Sequence, residues 1–220
     1  MQGRGRQPAG EGASARLRLV QYLHQNNANG AMSEVAIAAV GAVRRELFVP
    51  PRFAELAYAD EALELAKGAT ISAPSMVAVM VTAMEPAPGT RVLEIGSGSG
   101  YAAAVFAAAG MQVTGVEILG ELLPAARKAI ESSGWGGRVA LEEGDGMAGW
   151  PAGAPYDRVV ASAAVEAVPQ SWLEQAAPDG TVIYPESGPG EWDRLVRLRR
   201  RDGRWRREEL QPCKFVPMQT

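Results

Sequence analysis

Apolar residues recur along this chain with two different periods, and the change between them divides it. Over residues 16–25 and 33–47 they fall at helical spacing, the second run with Ser33 placed to cap a helix carrying Val35, Ile37, Val40 and Val43. Phe48-Val49-Pro50-Pro51 ends that helix, because proline cannot continue it. Residues 58–75 show neither period and read as irregular. An apolar helix through Met76, Val79, Met80 and Met84 follows, its methionines suited to filling a core. From residue 91 short β-branched runs alternate with helical stretches. Strands are expected at 91–95, 112–116, 139–141, 156–161 and 181–184, with helices after the first strand, over 121–132 and over 172–175. Such alternation predicts an α/β sandwich, doubly wound about a mainly parallel sheet, with a ligand over the carboxyl ends of the first strands. Two further runs, 195–201 and 204–210, flank Asp202-Gly203 and predict an antiparallel hairpin at one edge.

The first strand, Arg91-Val92-Leu93-Glu94-Ile95, runs directly into Gly96-Ser97-Gly98-Ser99-Gly100-Tyr101. Without Cβ atoms, Gly96, Gly98 and Gly100 let the backbone turn tightly and bring its N–H groups close to a ligand at the start of the next helix. The second strand ends in Glu117, about 20 residues on, where a carboxylate can accept both hydroxyls of a ribose. Gly98 to Ala103 also fits the G-x-G-x-x-A form of a nicotinamide-binding loop, so the glycines leave the ligand open. Glu94 bears on the choice: its carboxylate, two residues before the first glycine, suits the ammonium group of S-adenosylmethionine better than an anionic pyrophosphate. After the third strand, Asp145-Gly146 offers a carboxylate and a flexible backbone for the edge of an adenine ring.

At 220 residues and 47% hydrophobic content the chain can bury a full core as one domain. The single cysteine, Cys213, excludes an internal disulfide, and Cys213 with the lone His24 provides neither a zinc site nor a thiol or serine nucleophile of the usual kind. His24 lies on a polar helical stretch and reads as solvated. No apolar run reaches the length of a membrane span, so a cytoplasmic protein without membrane contact is expected. The net charge of −3 hides an asymmetry, because residues 194–207 hold eight arginines and one aspartate, a local +7 that leaves −10 elsewhere. This segment is read as a hairpin with arginines on its exposed face rather than as a nucleic-acid surface.

With these features in place the chain resembles the protein-L-isoaspartate (D-aspartate) O-methyltransferase family. The resemblance runs from about Phe48 to Pro217. It is carried by Phe48-Val49-Pro50, Ala57-Tyr58-Ala59-Asp60, Ala69-Thr70-Ile71-Ser72-Ala73-Pro74, the loop from Glu94 to Tyr101, Gly144-Asp145-Gly146, Ala154-Pro155-Tyr156-Asp157, Val168-Pro169-Gln170 and Phe215-Val216-Pro217. The Thr-Ile-Ser-Ala-Pro run is the discriminating one, since other methyltransferases share the glycine loop but not this segment. The resemblance implies a Rossmann-like methyltransferase fold, with S-adenosyl-L-methionine as donor and the carboxylate of isoaspartyl residues in damaged proteins as acceptor. It implies that Ser72 is the active-site hydroxyl, that Ala69, Thr70 and Ile71 lie against the donor, and that Glu94, Gly96, Ser97, Gly98, Gly100, Glu117, Ile118, Asp145 and Gly146 bind it. Tyr58, Asp60, Thr70, Ser72, Ala163, Val168, Pro169 and Pro217 would shape the peptide site. Residues 16–88 become a helical, substrate-facing segment, and residues 89–220 the donor-binding core. Residues 1–15, rich in Gly, Arg, Pro and Ala, are expected to be a disordered tail. A monomer acting on proteins and peptides, with no metal, nucleic acid or membrane, completes the expectation.

The chemistry agrees with a chain that lacks a catalytic histidine or cysteine. A carboxylate of pKa about 4 is already ionised at neutral pH, so the transfer needs positioning rather than a general base. Departures from the family pattern fall at Ala163-Ala164-Val165-Glu166 and at Tyr184-Pro185-Glu186-Ser187-Gly188, and only Met218-Gln219-Thr220 follow Pro217, which leaves little to cap the donor. These differences keep three alternatives in view: an enzyme forming an aspartimide in one ribosomally made peptide, with the arginine hairpin docking an acidic leader; a nicotinamide-dependent oxidoreductase; and a donor-binding protein without catalysis.

Overall fold

A computed structural model of the chain describes residues 9–66 and 68–219. Two helices open the described chain, α1 (Ala9–Gln25) and α2 (Glu34–Ala42). A small hairpin, β1 (Leu63–Ala66) and β2 (Ala69–Ile71), then leads into α3 (Pro74–Met84). Strand β3 (Arg91–Ile95), α4 (Tyr101–Ala108), β4 (Gln112–Glu117), α5 (Leu123–Ser133), β5 (Val139–Glu143) and β6 (Tyr156–Ala161) alternate after it. The short α6 (Gln170–Gln175) and strands β7 (Ala176–Glu186), β8 (Asp193–Arg201) and β9 (Arg204–Cys213) complete the order.

The main sheet has seven strands in the order β5-β4-β3-β6-β7-β8-β9. The first five are mutually parallel, whereas β8 and β9 pair antiparallel at one edge. Strand order reverses at β3, whose neighbours β4 and β6 leave it in opposite directions, so the crevice suited to a ligand opens above the carboxyl end of β3. The pleat sends alternate residues of β3 to opposite faces. Val92 joins the larger core, shared with α1 to α5, while Leu93 and Ile95 join a second core around Trp172. Glu94 has the parity of Val92 and is fully buried.

The expected α/β sandwich is therefore present, including the edge hairpin. Its turn residues Asp202 and Gly203 take φ of +51° and +71°, the conformation that a two-residue primed turn demands. Its arginines largely face acids: Arg197 donates to Glu208 at 2.6 Å, Arg207 to Glu186 at 2.6 Å and to Glu209 at 2.8 Å, and Arg199 to Glu85.

Three expectations are corrected. Residues 9–15 belong to α1 rather than to a tail; Ala9, Ala13 and Ala15 favour helix, and Leu19 and Leu23 anchor that helix in the core, so it propagates back toward the N-terminus. Residues 1–8 of the expected tail lie outside the described residues. The helix from Ser33, whose Oγ does accept the Ala36 N–H at 3.3 Å, ends at Ala42 instead of running to residue 47. Val43 and Arg44 turn away from helical geometry (ψ of 133° and 85°), and a short 3₁₀ turn from Arg45 to Leu47 carries Arg45 into the interior. Finally, the stretch read as irregular contains the β1–β2 hairpin, turning at Gly68 with φ of +77°. Strands of four and three residues are too short to register a period.

Candidate active site

Above β3 the backbone takes positive φ at Gly96, Gly98 and Gly100 (+77°, +51° and +79°), so each glycine meets a conformational requirement. Gly100 also has a packing reason, since a Cβ there would stand 2.7 Å from Ile130 Cδ1. The loop is tied to the neighbouring strand through Glu117. Its Oε2 accepts the Gly98 N–H at 2.7 Å and its Oε1 accepts the Leu119 N–H at 2.9 Å. Both oxygens retain lone pairs beyond these bonds, and the carboxylate is held still at the mouth of the crevice.

The crevice is open to solvent and lies at the carboxyl ends of β3, β4 and β6. Of the residues expected to bind the donor, Ala69, Thr70, Gly96, Gly98, Glu117, Ile118 and Gly146 line it, together with Ala163 and Pro217, which were expected on the peptide side. Gly146 must be glycine here: a Cβ would sit 2.4 Å from Ile95 Cγ2. Asp145 is exposed, and its Oδ1 accepts the Met147 N–H at 2.8 Å, closing a turn beside the crevice. Val116, Leu119, Ser162 and, on either side of Pro217, Val216, Met218 and Gln219 also line the space and were not anticipated. The last two correct the expectation that little follows Pro217 to cover a donor. Met218 N–H donates to Ala164 O at 2.8 Å and Gln219 Nε2 to Gly68 O at 3.1 Å, stitching a wall from β6 to the β1–β2 hairpin.

A smaller pocket adjoins the crevice and shares Thr70, Gly96 and Ser162 with it. Ile71, Ser72, Glu94, Ser97 and Tyr101 complete much of its wall. Here the β1–β2 hairpin delivers Ser72 opposite the start of α4. Three buried polar atoms around this pocket lack any hydrogen-bond partner: Glu94 Oε2, Ser97 Oγ and the Tyr101 hydroxyl. Glu94 Oε1 accepts only the Ser162 hydroxyl, at 3.2 Å. Burial, reinforced by the nearby Glu117 charge and opposed by the Ser162 bond, pushes the Glu94 carboxyl from the usual 4.5 up to about 8. A carboxyl so placed lacks a cation, and an ammonium group entering from the crevice would complete it.

The remaining expected residues lie apart. Tyr58 and Asp60 line a groove against α1, with Arg18 and Tyr22 across from them. Val168 packs on the second core and Pro169 caps α6, so neither lines the crevice or its adjoining pocket. Glu186, at one departure from the family pattern, is held by Tyr184 and Arg207.

A glycine loop at a topological switch point, the fixed Glu117 carboxylate beside it and a buried carboxyl short of a cation fit the class of S-adenosylmethionine-dependent methyltransferases of Rossmann-like fold. Comparison with known proteins narrows the class. Residues 16–220 match the protein-L-isoaspartate(D-aspartate) O-methyltransferase family, and the chain belongs to it. It is 41% identical to a protein-L-isoaspartate O-methyltransferase of Methylorubrum populi, over 93% of this chain and 95% of that one. It is 42% identical to a Rhodopseudomonas palustris enzyme of the same name, over 94% and 83%. A solved protein-L-isoaspartate O-methyltransferase superposes with a TM-score of 0.81 at 26% identity, covering 93% of this chain and 66% of that longer one. A Plasmodium falciparum structure, solved in complex with S-adenosyl-L-homocysteine, shares the fold with a TM-score of 0.78 at 19% identity, over 92% and 97%. The oxidoreductase and single-peptide alternatives find no support among these relatives.

Proposed function

We propose that this chain transfers a methyl group from S-adenosyl-L-methionine to the free carboxylate of L-isoaspartyl residues in damaged proteins and peptides, with Ser72 as the hydroxyl that positions the acceptor. The observation that carries the reading is the junction of two spaces, a crevice lined by the glycine loop and Glu117 and a pocket lined by both Ser72 and Glu94, whose Oε2 is unpaired. The orphaned carboxyl oxygen and the glycine cradle fit the donor. Glu94 would hold its ammonium, Glu117 its ribose, and the Gly96–Gly98 backbone and Gly146 its nucleoside. When bound, the donor supplies an electrophilic methyl group on a positively charged sulfur.

This chain's residues do the rest by placement. The acceptor arrives ionised, so no proton has to be removed before attack. Ser72 can donate a hydrogen bond to one carboxylate oxygen, leaving the other free to point along the donor's S–CH₃ axis, and alignment of this kind supplies several kcal/mol of rate acceleration. The wall from Val216 to Gln219 limits water at the mouth of the crevice. The product ester carries a better leaving group than the carboxylate, since methoxide, taking the proton of the attacking N–H, departs as methanol. The next peptide nitrogen can therefore displace methanol, forming a succinimide whose hydrolysis returns part of the material to normal aspartate without further catalysis. Ala163 and Pro217, at the wall of the crevice, would meet the peptide where it approaches the donor, and the groove at Tyr58 and Asp60 would hold a more distant part of it. We further propose a cytoplasmic location, a reading supported by the single and buried Cys213, and a monomer.

The test is methyl transfer from labelled S-adenosyl-L-methionine to two matched peptides at neutral pH, one with isoaspartate and one with normal aspartate. Label confined to the isoaspartyl peptide is expected. Equal labelling of both, or of neither while the donor binds, would sink the assignment.

A further inference from the structure

Arg45 is fully buried, yet no carboxylate pairs with it among the described residues. Its guanidinium instead donates to four backbone carbonyls. Nη1 reaches Ala57 O and Ala59 O, both at 3.0 Å, while Nη2 reaches Glu61 O at 2.9 Å and Ser72 O at 3.1 Å. The face of the guanidinium lies 5.4 Å from the centre of the Tyr101 ring, which walls the Ser72 pocket. A buried cation whose hydrogen bonds all go to backbone carbonyls, with only the unpaired charges of Asp60 and Glu61 nearby to offset its desolvation and with Nε left without a partner, is an expensive way to fill a core. The arrangement has a second output, which is geometry: one planar fork fixes the loop at 57–61, the exit of β2 at Ser72 and the start of α4 relative to one another. Asp60 adds an independent tie, its Oδ1 accepting the Ser75 N–H at 2.8 Å.

We propose that Arg45 is the positioning residue of the acceptor half of the site, holding the Ser72 backbone and the peptide-facing loop in register for methyl transfer. The inference rests on the assignment of Ser72 made above. Arg45 makes no hydrogen bond to β3, β4 or the loop at 144–146, so its loss falls more heavily on turnover than on donor binding. Lysine cannot replace it, because a single Nζ with three hydrogens cannot span four carbonyls disposed on two sides.

The experiment compares Arg45→Lys, Arg45→Met and Ser72→Ala in the full chain. For each, the Kd for S-adenosyl-L-homocysteine is measured by calorimetry, kcat and KM with an isoaspartyl peptide, and thermal unfolding alongside. Both Arg45 variants are expected to bind S-adenosyl-L-homocysteine within about threefold of the parent while kcat falls about a hundredfold, the loss expected when a reacting group shifts by about an ångström. Arg45→Met keeps the length of the side chain while removing every donor, and thermal unfolding establishes that it folds before its kcat is read. A third variant, Arg45→Ala, should regain part of its kcat on addition of millimolar guanidinium, whereas sodium at equal ionic strength should not restore it. A folded Arg45→Met with parental kcat, or a parallel loss of S-adenosyl-L-homocysteine binding and kcat in both Arg45→Lys and Arg45→Met, would overturn the proposal. If Ser72→Ala alone turns over like the parent, it is the assignment of Ser72 that fails, a result separable from the behaviour of Arg45.

Discussion

Replacing Glu94 with glutamine should uncouple ligand binding from pH, and the size of the effect follows from the environment of that carboxyl. In the ligand-free protein Glu94 is held at a pKa of about 8, chiefly because burial disfavours its charge. An ammonium beside Oε2 reverses the balance and favours the ionised form, so below pH 8 binding must release the proton that Glu94 carries. The apparent affinity for S-adenosyl-L-homocysteine should then fall by just under tenfold for each pH unit lost between about 7 and 5.5, or about 1.4 kcal/mol per unit. Close to one proton per site should appear in solution at about pH 6.5.

Calorimetric titration with S-adenosyl-L-homocysteine in two buffers of different ionisation enthalpy counts that proton directly. Glu94→Gln should bind more weakly at neutral pH, release no proton and show a flat profile over the same range, in which the ligand's own amino group stays charged. The linkage has a matching consequence for stability. The folded carboxyl pKa lies above the unfolded value of 4.5, so the stability that the bound proton contributes is present below 4.5 and is lost as pH rises toward 8. A flat affinity profile in the parent with no proton released would refute the assignment of Glu94 to the ammonium.

Ser72→Ala should lower kcat by about tenfold to a hundredfold with little change in the Kd for S-adenosyl-L-homocysteine; equal losses in both would contradict a role confined to the acceptor. Glu117→Ala removes the ribose partner and strands the N–H groups of Gly98 and Leu119, so calorimetry should show donor affinity weakened by about tenfold or more, and an unchanged Kd would count against it. Gly146→Ala forces a Cβ to within 2.4 Å of Ile95 Cγ2 and should cost about 1–3 kcal/mol, visible as a lower Tm by scanning calorimetry, where parity with the parent would show that the loop yields freely. Around the two spaces Glu94 and Glu117 are the charged lining residues among those described, so the acceptor carboxylate meets no fixed cation there. A labelled isoaspartyl peptide should therefore bind about tenfold tighter with sinefungin, which carries a cationic amine, than with the uncharged thioether of S-adenosyl-L-homocysteine, and anisotropy showing equal affinities would dispose of that electrostatic role.

Much of the donor side was legible because its constraints are local in sequence. The run from Glu94 to Gly100 is a strand end and a turn, and both the positive φ values and the Glu117 contact follow from residues whose spacing can be read directly. The same holds for the edge hairpin, where Asp202-Gly203 specifies its turn. What escaped was assembled over long separations. Ser162 reaches Glu94 across 68 positions, and Gln219 reaches Gly68 across 151. No periodicity carries such pairings; Ser162 could have been anticipated only from its place just past β6, at the carboxyl edge where ligands gather. Arg45 escaped for a different reason. It sits within an apparently continuous helical pattern, and only the break at Val43 and Arg44 turns it inward.

Long-range assembly matters most on the acceptor side, where the sheet contributes least. The donor half is built from the ends of β3, β4 and β6, elements fixed by the main core, whereas Ser72 leaves a two-stranded hairpin outside that sheet. Such a hairpin has little stability of its own and takes its position from what it docks against. Here Leu63 and Ile71 dock the hairpin on the core, and polar ties reach it or its exit from Arg45 to Ser72, from Arg52 to Glu64 and from Gln219 to Gly68. The division suits the reaction. One rigid site can serve a donor that never changes, while the acceptor, a carboxylate in whatever polypeptide has been damaged, meets a surface attached to the core by a few apolar side chains and hydrogen bonds. A reaction that needs no base can tolerate that looseness in the peptide, provided Ser72 itself stays where the β2 exit and Arg45 hold it.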